Sequence, residues 1–409
     1  MDSSKRYENT LVAILFFTWG TVFLDRMSQL YLAPYFAPEF HLNQEQIGTL
    51  ASVLAITWAA STLFFGALSD RFGRKPVLVP AVFIFSALSW VSGLAHTYHQ
   101  LLLIRALMGI AEGPTWSIMT ALVEESSHPS RRGRNIGLVV SAAALVGLAA
   151  APVLTTQVAS RWNWRAAFFV AGIPGFLMAI LIWKFVKEPS ASAEGESSHG
   201  RVSIADYFSI LRYRNIWLCC LGAAGFISWL FVMNVFAPLY LTQVALLPPT
   251  TAGFLLGATG LGSFFLGFLL PSLSDRMGRK PVLLLMAAMS AIVPLAFLSS
   301  WLRAHSLLLA AIIFVTNSGQ GIASLIMVLV PTESVPPRFR ATSIGLATLV
   351  GELMGATAAP VIAGSLAEKY GLGLTMWLAA VGSAVLFGVA LFLREPSHAA
   401  PEVPDAQRA

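Results

Sequence analysis

Five charged residues, Asp25, Arg26, Arg105, Glu112 and Glu352, stand inside long apolar stretches of this sequence. A charge at the middle of a membrane-spanning helix costs about 2.5–3.5 kcal/mol on insertion scales, so such residues face a wet cavity and have partners. Thr18, Thr21, Asp25, Ser28 and Gln29 fall at i, i+3, i+7, i+10 and i+11, which makes one polar stripe on a helix. Arg26 lies about 100° around from Asp25, beside Trp19 and Gln29. On a second helix Arg105, Gly109, Glu112 and Trp116 share a face. Two guanidiniums in one cavity suit a carboxylate, which each holds through paired hydrogen bonds. A partly desolvated carboxyl beside an arginine changes protonation with the occupancy of the site, and proton coupling requires that behaviour. Asp25, Glu112 and Glu352 are the acidic carriers available, because all seven histidines (41, 96, 99, 128, 199, 305, 398) lie in or near expected loops. The alternative is a static Arg105–Glu112 ion pair, with Asp25 held by threonines.

The second half of the chain offers neutral polar groups. Asn317, Gln320 and Ser324 lie at i, i+3, i+7, and Ser228 and Asn234 flank Trp229 on another helix. They bind the neutral part of a small molecule, or they only bond helix to helix.

The elements that position these residues are membrane spans. Charged residues make up 11% of the chain, hydrophobic ones 56%, and mean hydropathy is +0.72. A soluble domain carries about 25% charged residues, so no soluble surface can be built from this chain. Twelve stretches are long enough to span: 10–34, 46–69, 76–95, 100–124, 135–158, 163–187, 214–242, 250–274, 281–302, 305–330, 341–366 and 372–394. With the N-terminus inside, 20 Lys and Arg residues fall on the inner side and 4 on the outer, which places both termini in the cytoplasm of a multi-pass cell-membrane (inner or plasma membrane) protein. The net charge of +6 thus orients the chain in the bilayer and does not indicate nucleic acid. Cys219 and Cys220 are adjacent in an apolar run and are read as packing groups.

The sequence also repeats itself. GALSDRFGRKP at 66–76 returns as PSLSDRMGRKP at 271–281, and Glu125, Pro129, Arg132, Gly137, Gly147 and Pro152 match Glu333, Pro337, Arg340, Gly345, Gly355 and Pro360. The expected organisation is an N-terminal six-helix bundle (1–187), a cytoplasmic linker with an interfacial helix (188–213), a C-terminal six-helix bundle (214–394) and a cytoplasmic tail (395–409). The fold class is all-α integral membrane, twelve helices in two pseudo-symmetric bundles.

On GALSDRFGRK, its copy and RALMGIAEG (105–113), the chain resembles the major facilitator superfamily over nearly its whole length. LDRMSQLYLAP (24–34) with RALMGIAEGP is similar to its anion:cation symporter branch of organic-anion and sugar-acid importers. The resemblance implies two bundles that rock about a central site and close on the inner side. Asp70, Arg74, Glu124 and Glu125 would form that closure in the first bundle, and Asp275, Arg279 and Glu333 in the second, with Gly73 turning the loop. Arg26 and Arg105, with Gln29, Trp116, Asn234, Asn317 and Gln320, would take the substrate, and Asp25, Glu112 and Glu352 the proton. Where relatives have a tyrosine and Q-x-P-G in helix 2, this chain has TWAASTLFFG (57–66), a more apolar wall suited to an aromatic or short aliphatic carboxylate.

The expected function is secondary active transport: symport of a small organic carboxylate with a proton, by alternating access, in a monomer. The alternative is an exporter of amphipathic compounds, drugs or lysolipids. No cofactor, metal site or nucleic-acid partner is expected. The sequence has no H-E-x-x-H, no G-x-S-x-G elbow and no nucleophile in GIAEGP, so no enzyme is expected.

Overall fold

The computed structural model describes residues 3–188, 210–336 and 339–395, except the side chains at 3, 4, 63, 66, 67, 70 and 341. Asp70's side chain, most of the linker with its expected interfacial helix, and all of the tail after residue 395 lie outside the described residues. Twelve long helices account for most of the described chain. They are α1 (Ser3–Glu39), α2 (Gln44–Phe72), α3 (Arg74–Gly93), α4 (Tyr98–Ser126), α5 (Pro129–Arg161), α6 (Trp164–Phe185), α7 (Arg214–Val244), α8 (Pro249–Met277), α9 (Arg279–Leu298), α10 (Ser306–Glu333), α11 (Thr342–Tyr370) and α12 (Gly373–Phe392). Ten of them are long and apolar enough to cross a membrane. The other two, α2 and α4, have 29 residues each and pack on one another, with Arg105 and Glu112 inside α4.

Each expected span corresponds to one helix, with differences that have local causes. Expected to end at 34, α1 runs to Glu39 with Pro34 and Pro38 inside it. Neighbouring helices in a bundle tolerate such prolines, which sequence reading takes as stops. Expected as continuous, α10 breaks at Asn317, whose backbone is extended. In α5 and α11 the helical ladder widens to π geometry at Ala143–Ala150 and Gly351–Ala358, 208 residues apart. Pro152 and Pro360 follow each widening and lack the N–H that an α-helical ladder would need. The duplication therefore extends to a distortion of the backbone, and Glu352 sits on it.

The two six-helix bundles meet most closely at one end. The repeated turns lie at the other, called here the turn end. At the far end α2 packs on residues 351–370 of α11, and α8 packs on residues 143–161 of α5. Glycines make this approach possible. A Cβ on Gly48 would strike the Pro360 carbonyl, one on Gly364 the Gln44 carbonyl, and one on Gly260 the backbone of Leu148 and Ala149. Toward the turn end, Gly133 and Gly137 on α5 and Gly345 on α11 face open space.

Candidate functional site

Arg26 stands where the bundles face each other. It is 4% exposed, and its guanidinium lies over three aromatic rings. Phe23 is at 5.8 Å, Trp58 of α2 at 5.5 Å and Phe231 of α7 at 5.1 Å. The fourth neighbour is an acid of the other bundle, Glu352, whose Oε2 is 3.9 Å from Arg26 Nη2. That is an ion pair too long to be a hydrogen bond. Arg26 Nε and Nη2 and Glu352 Oε2 are accordingly left without hydrogen-bond partners. An aromatic box attracts a guanidinium through its ring faces and leaves the donors at its edge available.

The other predicted charges cluster behind Arg26 in the first bundle. Arg105 Nη2 donates to the Arg26 carbonyl at 2.9 Å, and Nη1 contacts Met108 sulfur. Arg105 therefore fixes the α1 backbone at the residue that carries the box, and only its Nε lacks a partner. No Arg105–Glu112 ion pair forms, contrary to the static alternative. Glu112 and Asp25 are fully buried, neither oxygen of Glu112 has a hydrogen-bond partner, and Asp25 has Ser89 of α3 as its polar side-chain neighbour. Both arginines lie within electrostatic reach of Glu112, and Arg105 and Glu112 within reach of Asp25. Trp116 joins the cluster through Trp19, 5.0 Å away, whose ring is also 5.0 Å from Phe23. The indole N–H groups of Trp19 and Trp58 and Gln29 Oε1 are unpartnered as well.

The second bundle's predicted polar residues do not join this cluster. Asn234 is engaged at both ends of its amide, accepting from Tyr31 Oη at 2.9 Å and donating to the Leu230 carbonyl. Asn317 Oδ1 accepts from Gly319 N and so caps the restart of α10. Gln320 packs against Gly267 of α8, and its backbone N–H donates to Ser263 Oγ. Of the three, only Asn234 bonds another helix through its side chain, while Asn317 bonds within α10 and the Gln320 side chain packs on α8. The box partners Phe23 and Phe231 were not singled out from sequence. Phe23 is three residues before Arg26 and was legible from helical spacing, whereas Phe231 carries no sequence signal.

The repeated turns form matching networks. Gly73 and Gly278 have φ of +102° and +94°, the left-handed region glycine allows. Arg74 bonds Ser69 Oγ at 3.0 Å and Glu125 at 3.1 Å. Arg279 bonds Ser274 Oγ at 2.7 Å, Asp275 at 2.5 Å and Glu333 at 2.7 Å. Glu124 stays exposed, with no ion pair among the described residues, so Glu125 alone of that pair enters the network. A second tie joins the start of each bundle's third helix to the residues after its sixth. Glu188 accepts from the backbone N–H groups of Arg74 and Lys75, and Glu395 from those of Arg279 and Lys280. The carboxylates cap the positive ends of α3 and α9. Its sequence signal was the short echo EPS at 188–190 and 395–397.

At the far end one such cap crosses between bundles. Glu368 of α11 accepts from the Gln44 backbone N–H at the start of α2 at 3.0 Å.

A family model described as Major Facilitator Superfamily matches residues 15–359 and 230–409. The chain belongs to the major facilitator superfamily. It is 29% identical to a probable 4-methylmuconolactone transporter of Cupriavidus pinatubonensis over 347 residues, 83% of this chain and 79% of the relative. A cis,cis-muconate transport protein of Acinetobacter baylyi is 28% identical over 408 residues, 93% of this chain and 96% of that one. A solved inward-facing, occupied bacterial homolog of the human lysosomal transporter Spinster shares the fold, with a TM-score of 0.71 at 21% identity over 95% of this chain and 94% of that one. The relatives are transporters, so this multi-pass superfamily member is a membrane transporter and not an enzyme.

Proposed function

We propose that the protein imports a small organic carboxylate together with protons, by alternating access between the two bundles. The observation that carries this reading is Arg26, boxed by three aromatic rings, with two donors free and Glu352 of the opposite bundle 3.9 Å away. A substrate carboxylate takes those donors and replaces Glu352 as the counter-charge, and Glu352 then carries a proton. Asp25 and Glu112 are the further proton carriers, reached from the site through Arg26 and Arg105. The apolar box favours an unsaturated or aromatic acid over a hydroxylated sugar acid. Muconate, the acid named for one relative, is a conjugated diene with a carboxylate at each end.

Charge asymmetry puts the turn end in the cytoplasm, together with both termini. The far-end contacts then close the site to the outside. The bundles 1–187 and 214–394 act as the two rocking bodies, joined by the 188–213 linker, in a monomer in the cell membrane. The Arg74 and Arg279 networks hold the cytoplasmic ends of the bundles in shape for closure against each other.

The test is uptake into proteoliposomes of cis,cis-muconate against its dimethyl ester, by the native protein and Arg26→Lys. Lysine keeps the charge and loses the planar fork. Acid uptake is expected to exceed ester uptake, and the variant to bind at least about tenfold more weakly. Equal uptake of acid and ester, or native affinity in the variant, would overturn the proposal. Export of amphipathic compounds has no observation in its favour here.

A further inference from the structure

A groove of about 610 Å³ runs along the outer surface between α7 and α12 at the turn end. Arg214, Trp217, Leu218 and Leu221 form one wall, with Val385, Gly388, Val389 and Phe392 opposite. Both sets fall at i, i+3, i+4, i+7, so each is one continuous helix face. Seven residues of helix rise about 10 Å, so the groove reaches about 10 Å up from Arg214 and Phe392. Gly388 opens its floor, since a Cβ there would meet nothing within 4 Å. Above Arg214 every lining residue is apolar.

The mouth is basic. Arg212, Arg214 and Arg394 are exposed, and none makes an ion pair among the described residues. Asn215 bonds the backbone of Arg394 at both its N–H and its carbonyl, which fixes the end of α12 beside the start of α7. The one described acid next to Arg394, Glu395, is committed to the α9 N-terminus. The groove thus joins a mouth whose arginines have no ion-pair partner among the described residues to an apolar trench open to the bilayer. None of the groove's lining residues belongs to the Arg26 site.

We infer that this groove binds an anionic phospholipid, with its phosphate at Arg214 and an acyl chain laid between α7 and α12. Charge complementarity selects the occupant. A zwitterionic lipid brings its own cation to the mouth, and a second copy of this chain would bring the same three arginines against themselves. Basic residues at a membrane surface are worth roughly a fivefold preference each for anionic lipid.

The experiment is native mass spectrometry of the full-length protein from mixed micelles with equal mole fractions of dioleoyl phosphatidylglycerol and dioleoyl phosphatidylcholine. It counts bound lipids and protein copies together. The native protein is expected to retain one phosphatidylglycerol in preference to phosphatidylcholine. Arg214→Gln is expected to cut the preference about fivefold. Gly388→Leu, whose added Cβ meets nothing within 4 Å, is expected to fill the floor and lose the retained lipid while Arg26-dependent transport persists. Equal retention of the two lipids by the native protein would overturn the inference, as would an unchanged preference in Arg214→Gln. If Gly388→Leu dissociated a dimer and left lipid retention unchanged, the groove would belong to a second copy and the inference would fail.

Discussion

Neutralising Glu352 separates binding from coupling. In the observed structure its carboxylate is 3.9 Å from Arg26 and makes no hydrogen bond there, so the attraction is almost wholly coulombic. At an effective dielectric of about 20 that attraction is about 4 kcal/mol. Glu352 is 14% exposed, so solvent screening lowers the figure, and about 4 kcal/mol is a ceiling. An incoming carboxylate competes with this pair in the native protein and has no rival in Glu352→Gln. The variant is expected to bind substrate at least about tenfold more tightly, roughly 1.4 kcal/mol. The sign of the pH dependence follows. Native binding takes up a proton at Glu352, so affinity falls as pH rises, and the variant's affinity is expected to fall less steeply because only Asp25 and Glu112 remain to titrate. Trp58, 5.5 Å from the Arg26 guanidinium, reports binding by its fluorescence at each pH in a protein whose other ten tryptophans are replaced by phenylalanine. In proteoliposomes the variant is expected to keep exchange with substrate on both sides and to lose accumulation driven by a pH gradient. Weaker binding than native, or full gradient-driven accumulation, would refute the reasoning.

The same assays apply to the acids behind the box. Glu112→Gln and Asp25→Asn are each expected to keep counterflow and lose gradient-driven uptake, and native accumulation in both would exclude them as carriers. Glu368→Gln removes a charge from the α2 N-terminus, worth about 0.3–1 kcal/mol, and so shifts the population open at the far end by about two- to fivefold. A thiol reagent readily measures that shift at Ser52→Cys, a buried position one turn below Gly48, in a protein with Cys219 and Cys220 replaced by serine. Gly48→Leu puts a side chain against the Pro360 carbonyl, so it is expected to wedge the far end open and stop net transport. Unchanged labelling of the Ser52→Cys reporter in that variant would show the contact to be incidental.

The helices were legible because membrane spans announce themselves by length, and because the duplicated turn located both bundles at once. Arg26 and its acidic neighbours were legible by cost: a charge in an apolar run needs a reason. The Arg26–Glu352 approach was not legible. The two residues are 326 positions apart, and no pattern in either helix names the other. The break at Asn317 escaped because neither glycine nor proline marks it on its N-terminal side. Asn234, Asn317 and Gln320 look alike in sequence whether they meet a ligand or a neighbouring helix, and only partner geometry tells the two apart. The far-end closure rests on glycines, whose role depends on what approaches them.

The Glu188 and Glu395 caps bear on how the protein is made. Each bundle's third helix is tied by a residue that follows its sixth, so the tie forms only after the whole bundle has left the ribosome. Until Glu188 emerges, the positive end of α3 has no such carboxylate over its first amides. The first bundle can fasten itself while the second is still being synthesised, because Glu188 precedes α7. The second waits for Glu395, three residues beyond the last helix. Cutting the chain just before Glu395 would leave every described helix intact and the start of α9 without its carboxylate cap, a damaged product that a hydropathy profile would not distinguish from the native one.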